Sequence, residues 1–223
     1  MPATTQKSYY ERYWLEEAAG HSGNVQGYAA NFRAWMARQL HGLPNQARVL
    51  EVGCGDGAFT RDLARFSRQV TALDLSAAQI QQNARAYPDI QFQQHDLADP
   101  LPFPPDHFAV IWCSEVLEHL FDPAFAVREM HRVLAPGGRL LVTVPYHGLG
   151  KNLLIALLKW DAHFAPNNPH LRFFTKNTLR AVVAGAGFAR IVLQTCGMGK
   201  PVRDLFIPTN ILLTAEKGWR PKT

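Results

Sequence analysis

Cysteine is scarce in this chain: Cys54, Cys113 and Cys196, an odd number with no C-x-x-C pair. That argues against a disulfide framework and a cysteine-built zinc site, and predicts a cytoplasmic, reducing setting. No apolar run approaches the roughly 18 residues that a membrane-crossing helix needs. Residues 1–12 are polar and lack the apolar core of a secretory signal. Internal repeats and low-complexity tracts are missing, and the 15 prolines are scattered rather than clustered. Neither sign of charge dominates. A formal net charge of +5 is mild and dispersed, so it permits an anionic partner without specifying one. What is present is a hydrophobic fraction of 47% over 223 residues, enough to bury a sizeable core in one domain.

The stretch around which the chain is organised is residues 48–57, R-V-L-E-V-G-C-G-D-G. Val49, Leu50 and Val52 read as a short buried strand, and a helical segment follows over residues 58–66. Between them Gly53, Gly55 and Gly57 permit a tight turn and bring a ligand against the main chain, because no Cβ stands in the way. The helix start then offers unpaired N–H groups. Gly53, Gly55 and Ala58 satisfy the dinucleotide pattern G-x-G-x-x-G/A, and Asp74 lies near the distance of its ribose-binding acid. Glu51 and the third glycine, Gly57, make a different pattern, E-x-G-x-G-x-G, in which an acid beside the turn suits a cationic ligand better than a pyrophosphate.

Taken in order, residues 8–41 predict two helices, with Tyr9, Tyr10, Tyr13 and Trp14 in one and Phe32, Trp35, Met36 and Leu40 at helical spacing in the other. They serve either as a structural staple or as a lid. Residues 69–75 (Q-V-T-A-L-D-L) predict a second buried strand, and Ser76 the N-cap of a helix through Ala86. Residues 90–95 alternate like an edge strand and end at Asp96. Residues 108–113 predict the fourth strand, opening into S-E-V-L-E-H-L from Ser114. Asp122 and Pro123 start a helix that the breaker cluster L-A-P-G-G, residues 134–138, should end before a strand at 139–144. Strands at 191–195 and 211–215 close the pattern.

The glycine motif, the strand-end Asp74, S-E-V-L-E-H-L and L-x-P-G-G in register resemble the class I S-adenosylmethionine-dependent methyltransferases. The likeness is to their small-molecule branch and its ubiquinone-type O-methyltransferases. It covers residues 48–144 well and the flanks loosely. It implies a Rossmann-like, mostly parallel seven-stranded α/β sheet with helices on both faces and an antiparallel last strand. On this reading residues 1–45 are a helical cap and 46–144 the cofactor-binding core. Residues 145–174 are an acceptor-side insertion and 175–223 a C-terminal helix and strands.

The resemblance also assigns roles. Gly53, Gly55 and Gly57 would approach S-adenosylmethionine with Glu51 nearby, and Asp74 with Leu75 would meet its ribose. Asp96 and the backbone of Leu97 would meet the adenine, and Ser114 would bring backbone near the donor. Arg33 occupies the place of a cofactor-binding arginine, although its N-F-R-A-W surroundings depart from the family's pattern.

His119, just past the fourth strand, is the candidate base for a hydroxyl acceptor, since imidazole titrates near neutrality. A packed structural histidine is the plain alternative. Glu115, Glu118 and His119 form E-x-x-E-H, a cluster associated with a divalent cation in ubiquinone-type enzymes, but metal is not expected here. His147, Asp161, His163 and His170 make a weaker set.

The decapeptide K-N-L-L-I-A-L-L-K-W, from Lys151 to Trp160, reads either as a lid helix buried over the acceptor pocket or as a peripheral membrane contact. The expected partner is a small, lipophilic acceptor rather than nucleic acid. The D/N-P-P-Y/F tetrapeptide of amino-group modifiers is replaced by C-S-E-V. A methyltransferase acting on RNA or another macromolecule, a cofactor-binding protein without catalysis and a nicotinamide dehydrogenase are the competing readings.

Overall fold

Val49, Leu50 and Val52 read as one apolar run because both faces of their strand are covered. In the computed structural model, which describes residues 18–165, 168–197, 203–204 and 207–219 with side chains from residue 28 on, β1 (Arg48–Val52) lies inside a seven-stranded sheet. It pairs in parallel with β2 (Gln69–Asp74) and β4 (Phe108–Ser114). The order is β3-β2-β1-β4-β5-β7-β6. Strand β3 (Gln91–Gln94) is the edge that its glutamines predict. Strand β7 (Asn210–Lys217) runs antiparallel between β5 (Leu134–Pro145) and β6 (Phe188–Cys196). The architecture expected from the sequence is the one observed.

Alternation along the strands sends side chains into two cores. On one face Leu50, Val52, Ile111 and Val142 pack with α4 (Pro123–Val133) and α7 (Lys176–Gly185). On the other, Val49, Val110, Trp112 and Leu141 pack with Leu63 of α2 (Ala58–Leu63) and with α1 (Ala18–Leu40). Phe32, Trp35, Met36 and Leu40 of α1 are all buried, and the Trp35 and Trp112 rings lie 5.5 Å apart. This part of the N-terminal segment is therefore a staple. Tyr9, Tyr10, Tyr13 and Trp14 lie outside the described residues. Helix α3 (Ala77–Ala86) starts at Ser76, whose hydroxyl accepts from Gln79 N, and α4 starts at the Asp122 cap with Pro123 in its first turn.

Two expectations are corrected. The L-A-P-G-G cluster is not a gap between helix and strand: β5 begins at Leu134, which pairs with Phe108, and Arg139 pairs with Val110. The surplus residues bulge out, with Gly137 at φ 76° and the Gly138 main chain so close to Ala135 O and Ala109 O that a Cβ would clash. Of the two readings of the leucine-rich stretch, the buried lid does not hold. Its helix, α5 (Leu149–Leu158), is followed by a single turn, α6 (Trp160–His163), and the only fully buried residue of the two is Ile155.

Candidate active site

The carboxyl ends of the parallel strands meet at one edge, the usual ligand edge of open α/β sheets. Three turn glycines there adopt the left-handed region: Gly53 at φ 72°, Gly55 at 49° and Gly57 at 75°. A Cβ on Gly53 would lie 2.3 Å from Val116 Cγ2, and one on Gly57 3.1 Å from Asn83. The amides of Gly53 and Cys54 both donate to Leu73 O, at 2.8 and 2.9 Å. Asn83 of α3 donates to Gly55 O at 2.7 Å. Asp74 completes the bracing. Its Oδ2 accepts from Gly55 N and its Oδ1 from Ser76 N, both at 2.9 Å. Burial raises its pKa, and the N–H donors of Ser76, Gly55 and Leu75 oppose that rise.

The other expected cofactor residues divide. At the end of β3, Asp96 accepts from Ala98 N at 2.9 Å, and Leu97 leans on the core. Glu51 is only 2% exposed and accepts a hydrogen bond from the Thr60 hydroxyl, bracing α2 against β1. Burial pushes its pKa up to about 8. It presents almost no surface to a ligand. Arg33 is bound elsewhere than the turn: its Nε donates to Asp62 Oδ2 at 2.6 Å, and its guanidinium lies over Phe59.

Beyond β4 the sequence signal was incomplete. Glu115 adopts φ 55°, a strained conformation for a side chain of its size. Its Oε1 accepts from Thr143 Oγ1 at 2.8 Å and its Oε2 from Asn210 Nδ2 at 3.0 Å. Ser114 Oγ joins the chain at Thr143, 2.8 Å away. Burial raises the Glu115 pKa to about 7 against the pull of Thr143, Asn210 and Lys151. Asn210, Thr143 and Lys151 had no motif to flag them. Asn210 lies 95 residues from Glu115 in the chain and reaches it only because β7 runs antiparallel.

The 3₁₀ turn Leu117–His119 carries a second group. Glu118 is 1% exposed, and among the described residues neither of its carboxyl oxygens has a hydrogen-bond partner, although His119 Nε2 lies 3.8 Å from Oε1. Its main-chain oxygen accepts from Leu171 N and Arg172 N, so the turn is clamped to the insertion. His119 Nδ1 lies 3.1 Å from Pro169 O, and its ring meets that of His170 at 4.9 Å. One ligand atom from each of Glu118, His119 and His170 falls within 4.8 Å of the others, a set that could hold a divalent cation. Glu115, a weak candidate for such a set, belongs instead to the Thr143–Asn210 network. Burial raises Glu118 and lowers both histidines, His170 to about 4. His147 instead meets Phe173 edge-on at 4.8 Å, and the His163 ring lies tilted 5.9 Å from the same phenyl.

Residues 25–193 match the family model for a methyltransferase domain. The chain belongs to that family. Its glycine turn is thus a methyltransferase-domain turn and not a dinucleotide fingerprint.

A "Probable S-adenosylmethionine-dependent methyltransferase" of Mycobacterium tuberculosis is 32% identical over 160 residues, covering 70% of this chain and 54% of its own. The ubiquinone biosynthesis O-methyltransferase of Xanthomonas euvesicatoria is 35% identical over 102 residues, 44% of this chain and 42% of its own. The chain spans about half the length of the curated relatives it matches. The solved S-adenosylmethionine-dependent methyltransferase of Mesorhizobium loti shares the fold, with a TM-score of 0.66 at 22% identity over 82% of this methyltransferase-family chain and 97% of its own.

Proposed function

We propose that this chain transfers a methyl group from S-adenosylmethionine to a small, lipophilic acceptor, at a hydroxyl oxygen. One observation carries the donor half: a turn of three left-handed glycines tied to Asp74, whose carboxylate accepts from the Gly55 and Ser76 amides at the end of β2. The residues fit this donor. Residues 51–60, 72–84 and 94–101 hold carboxylic acids but no lysine or arginine. A sulfonium and an ammonium meet no like charge there, and a pyrophosphate finds no counter-charge.

On this reading Asp74, with Leu75 behind it, takes the vicinal ribose hydroxyls. Asp96 takes the adenine amino group, Leu97 N–H a ring nitrogen, and the main chain of Gly53 to Gly57 and of Ser114 lies along the remainder. Glu51 supports the turn from behind.

S-adenosylmethionine, when bound, supplies an electrophilic methyl carbon. The chain's part is to hold the acceptor in line, exclude water and accept the hydroxyl proton. His119 suits the last task. Burial lowers its pKa, so the ring is neutral near pH 7, and Nδ1–H donation to Pro169 O makes Nε2 the basic nitrogen. Glu115 supports a second assignment of the base, because it is held rigidly at the strand end and titrates at about 7. The ubiquinone-type relatives support oxygen as the acceptor atom, and the exposed leucines of α5 support an apolar acceptor. A cytoplasmic setting belongs to the same proposal, supported by three free cysteines.

Calorimetry of the folded protein with S-adenosylhomocysteine, and separately with NADH, tests the donor. Micromolar binding of S-adenosylhomocysteine is expected, weakened by about tenfold or more in Asp74→Asn. A folded sample that binds none, or that prefers NADH, overturns the reading.

A further inference from the structure

Seven of the twelve exposed large apolar side chains among the described residues fall between positions 149 and 164. Single exposed leucines are ordinary, but a patch of this density is not. On α5, Leu149, Leu157 and Leu158 are each more than 70% exposed, and Leu153 and, just beyond the helix, Trp160 are each 57% exposed. Charge is concentrated in the same region. Residues 149–176 carry Lys151, Lys159, Arg172 and Lys176 against one acid, Asp161, which accounts for three of the chain's five net positive charges.

We propose that α5 docks this protein on an anionic lipid surface. The leucines enter the acyl boundary, Trp160 lies at headgroup depth, and Lys159, exposed beside them, meets lipid phosphate. No helix among the described residues is long and apolar enough to cross a membrane, so the contact is parallel to the surface. Charge decides between the possible occupants. A second copy docked through the same segment would bring two segments of net charge +3 together, whereas anionic headgroups neutralise one.

The helix begins four residues after β5 ends, at the edge that also holds Gly53, Asp74 and Glu115. Lys151 on its first turn acts electrostatically on Glu115. Delivery of a lipid-embedded acceptor to that edge rests on the proposed methyl transfer; the contact with lipid does not.

Flotation with vesicles of phosphatidylcholine alone, and of phosphatidylcholine and phosphatidylglycerol in equal parts, tests the contact. The wild-type protein is expected to float with the anionic vesicles only, and less at high salt. The double substitution Leu153→Glu, Leu157→Glu should lower partitioning on the order of 100-fold, and Lys159→Glu about fivefold. Both leucines are exposed, and unchanged melting and S-adenosylhomocysteine binding would confirm an intact fold. Protein that ignores both vesicle types, floats equally with neutral ones, or is indifferent to the double substitution overturns the proposal. Sedimentation that shows a dimer dissolved by the double substitution, with no vesicle capture, assigns the face to a second copy instead. Loss of S-adenosylhomocysteine binding with flotation intact would remove the methyl-transfer reading and leave the surface standing.

Discussion

A side chain at Gly53 meets two obstacles together: a φ of 72°, which L residues avoid, and Val116 packed 2.3 Å from where its Cβ would stand. Gly53→Ala is therefore expected to lower stability by about 2–4 kcal/mol in urea denaturation. Adding Val116→Ala should restore the steric part but not the backbone part. For the proton acceptor, His119→Ala is expected to reduce kcat by about 100-fold or more, with S-adenosylmethionine KM little changed. Glu115→Gln should cost less than about tenfold, removing a limb of the pH–rate profile. The reverse order would move the base to Glu115. The turn of the glycines and the places of Asp74 at a strand end and of His119 just past one were legible because each sits in a short local pattern. Arg33 rests on a positional resemblance that its N-F-R-A-W surroundings do not share, and Asp62, which holds it, carries no signal of that role.

At the scale of elements, hydrophobic period and cap chemistry specified most boundaries, Ser76 and Asp122 among them. The P-G-G bulge is hidden from the sequence because glycine and proline break structure locally, while pairing with β4 carries β5 across them. For α5 the sequence leaves a lid and a surface contact both open, because a leucine run looks the same buried or exposed.

The β1–α2 brace predicts a pH effect. Glu51 is ordinarily near 4.5 and rises to about 8 in the folded chain. Its contribution to stability is full below 4.5 and is lost as pH rises through about 8. Glu51→Gln keeps an acceptor for Thr60 and removes the ionisation. Wild-type stability should fall relative to this variant between about pH 5 and 8, by an amount on the order of a few kcal/mol, and its melting temperature with it. Melting curves for the two proteins across that range check it, and parallel curves would refute it.

Across the whole molecule, the antiparallel placement of β7 has a chemical consequence: its first residue, Asn210, arrives at the carboxyl edge and donates to Glu115. That bond lowers the Glu115 pKa. Asn210→Ala should therefore raise it and shift the corresponding limb of the pH–rate profile upward, with the melting temperature as a control for folding. An unmoved limb would show that Glu115 does not titrate in the rate.

The order of strands and helices, the glycine turn and its acid at the end of β2 are written into local sequence, because period, capping and backbone freedom act over a few residues. The partners of Glu115, the grouping of Glu118 and His119 with His170, the bracing role of Glu51 and the exposure of α5 were decided only by tertiary structure. Each depends on which distant segments the sheet order brings together and on what burial then does to a charge.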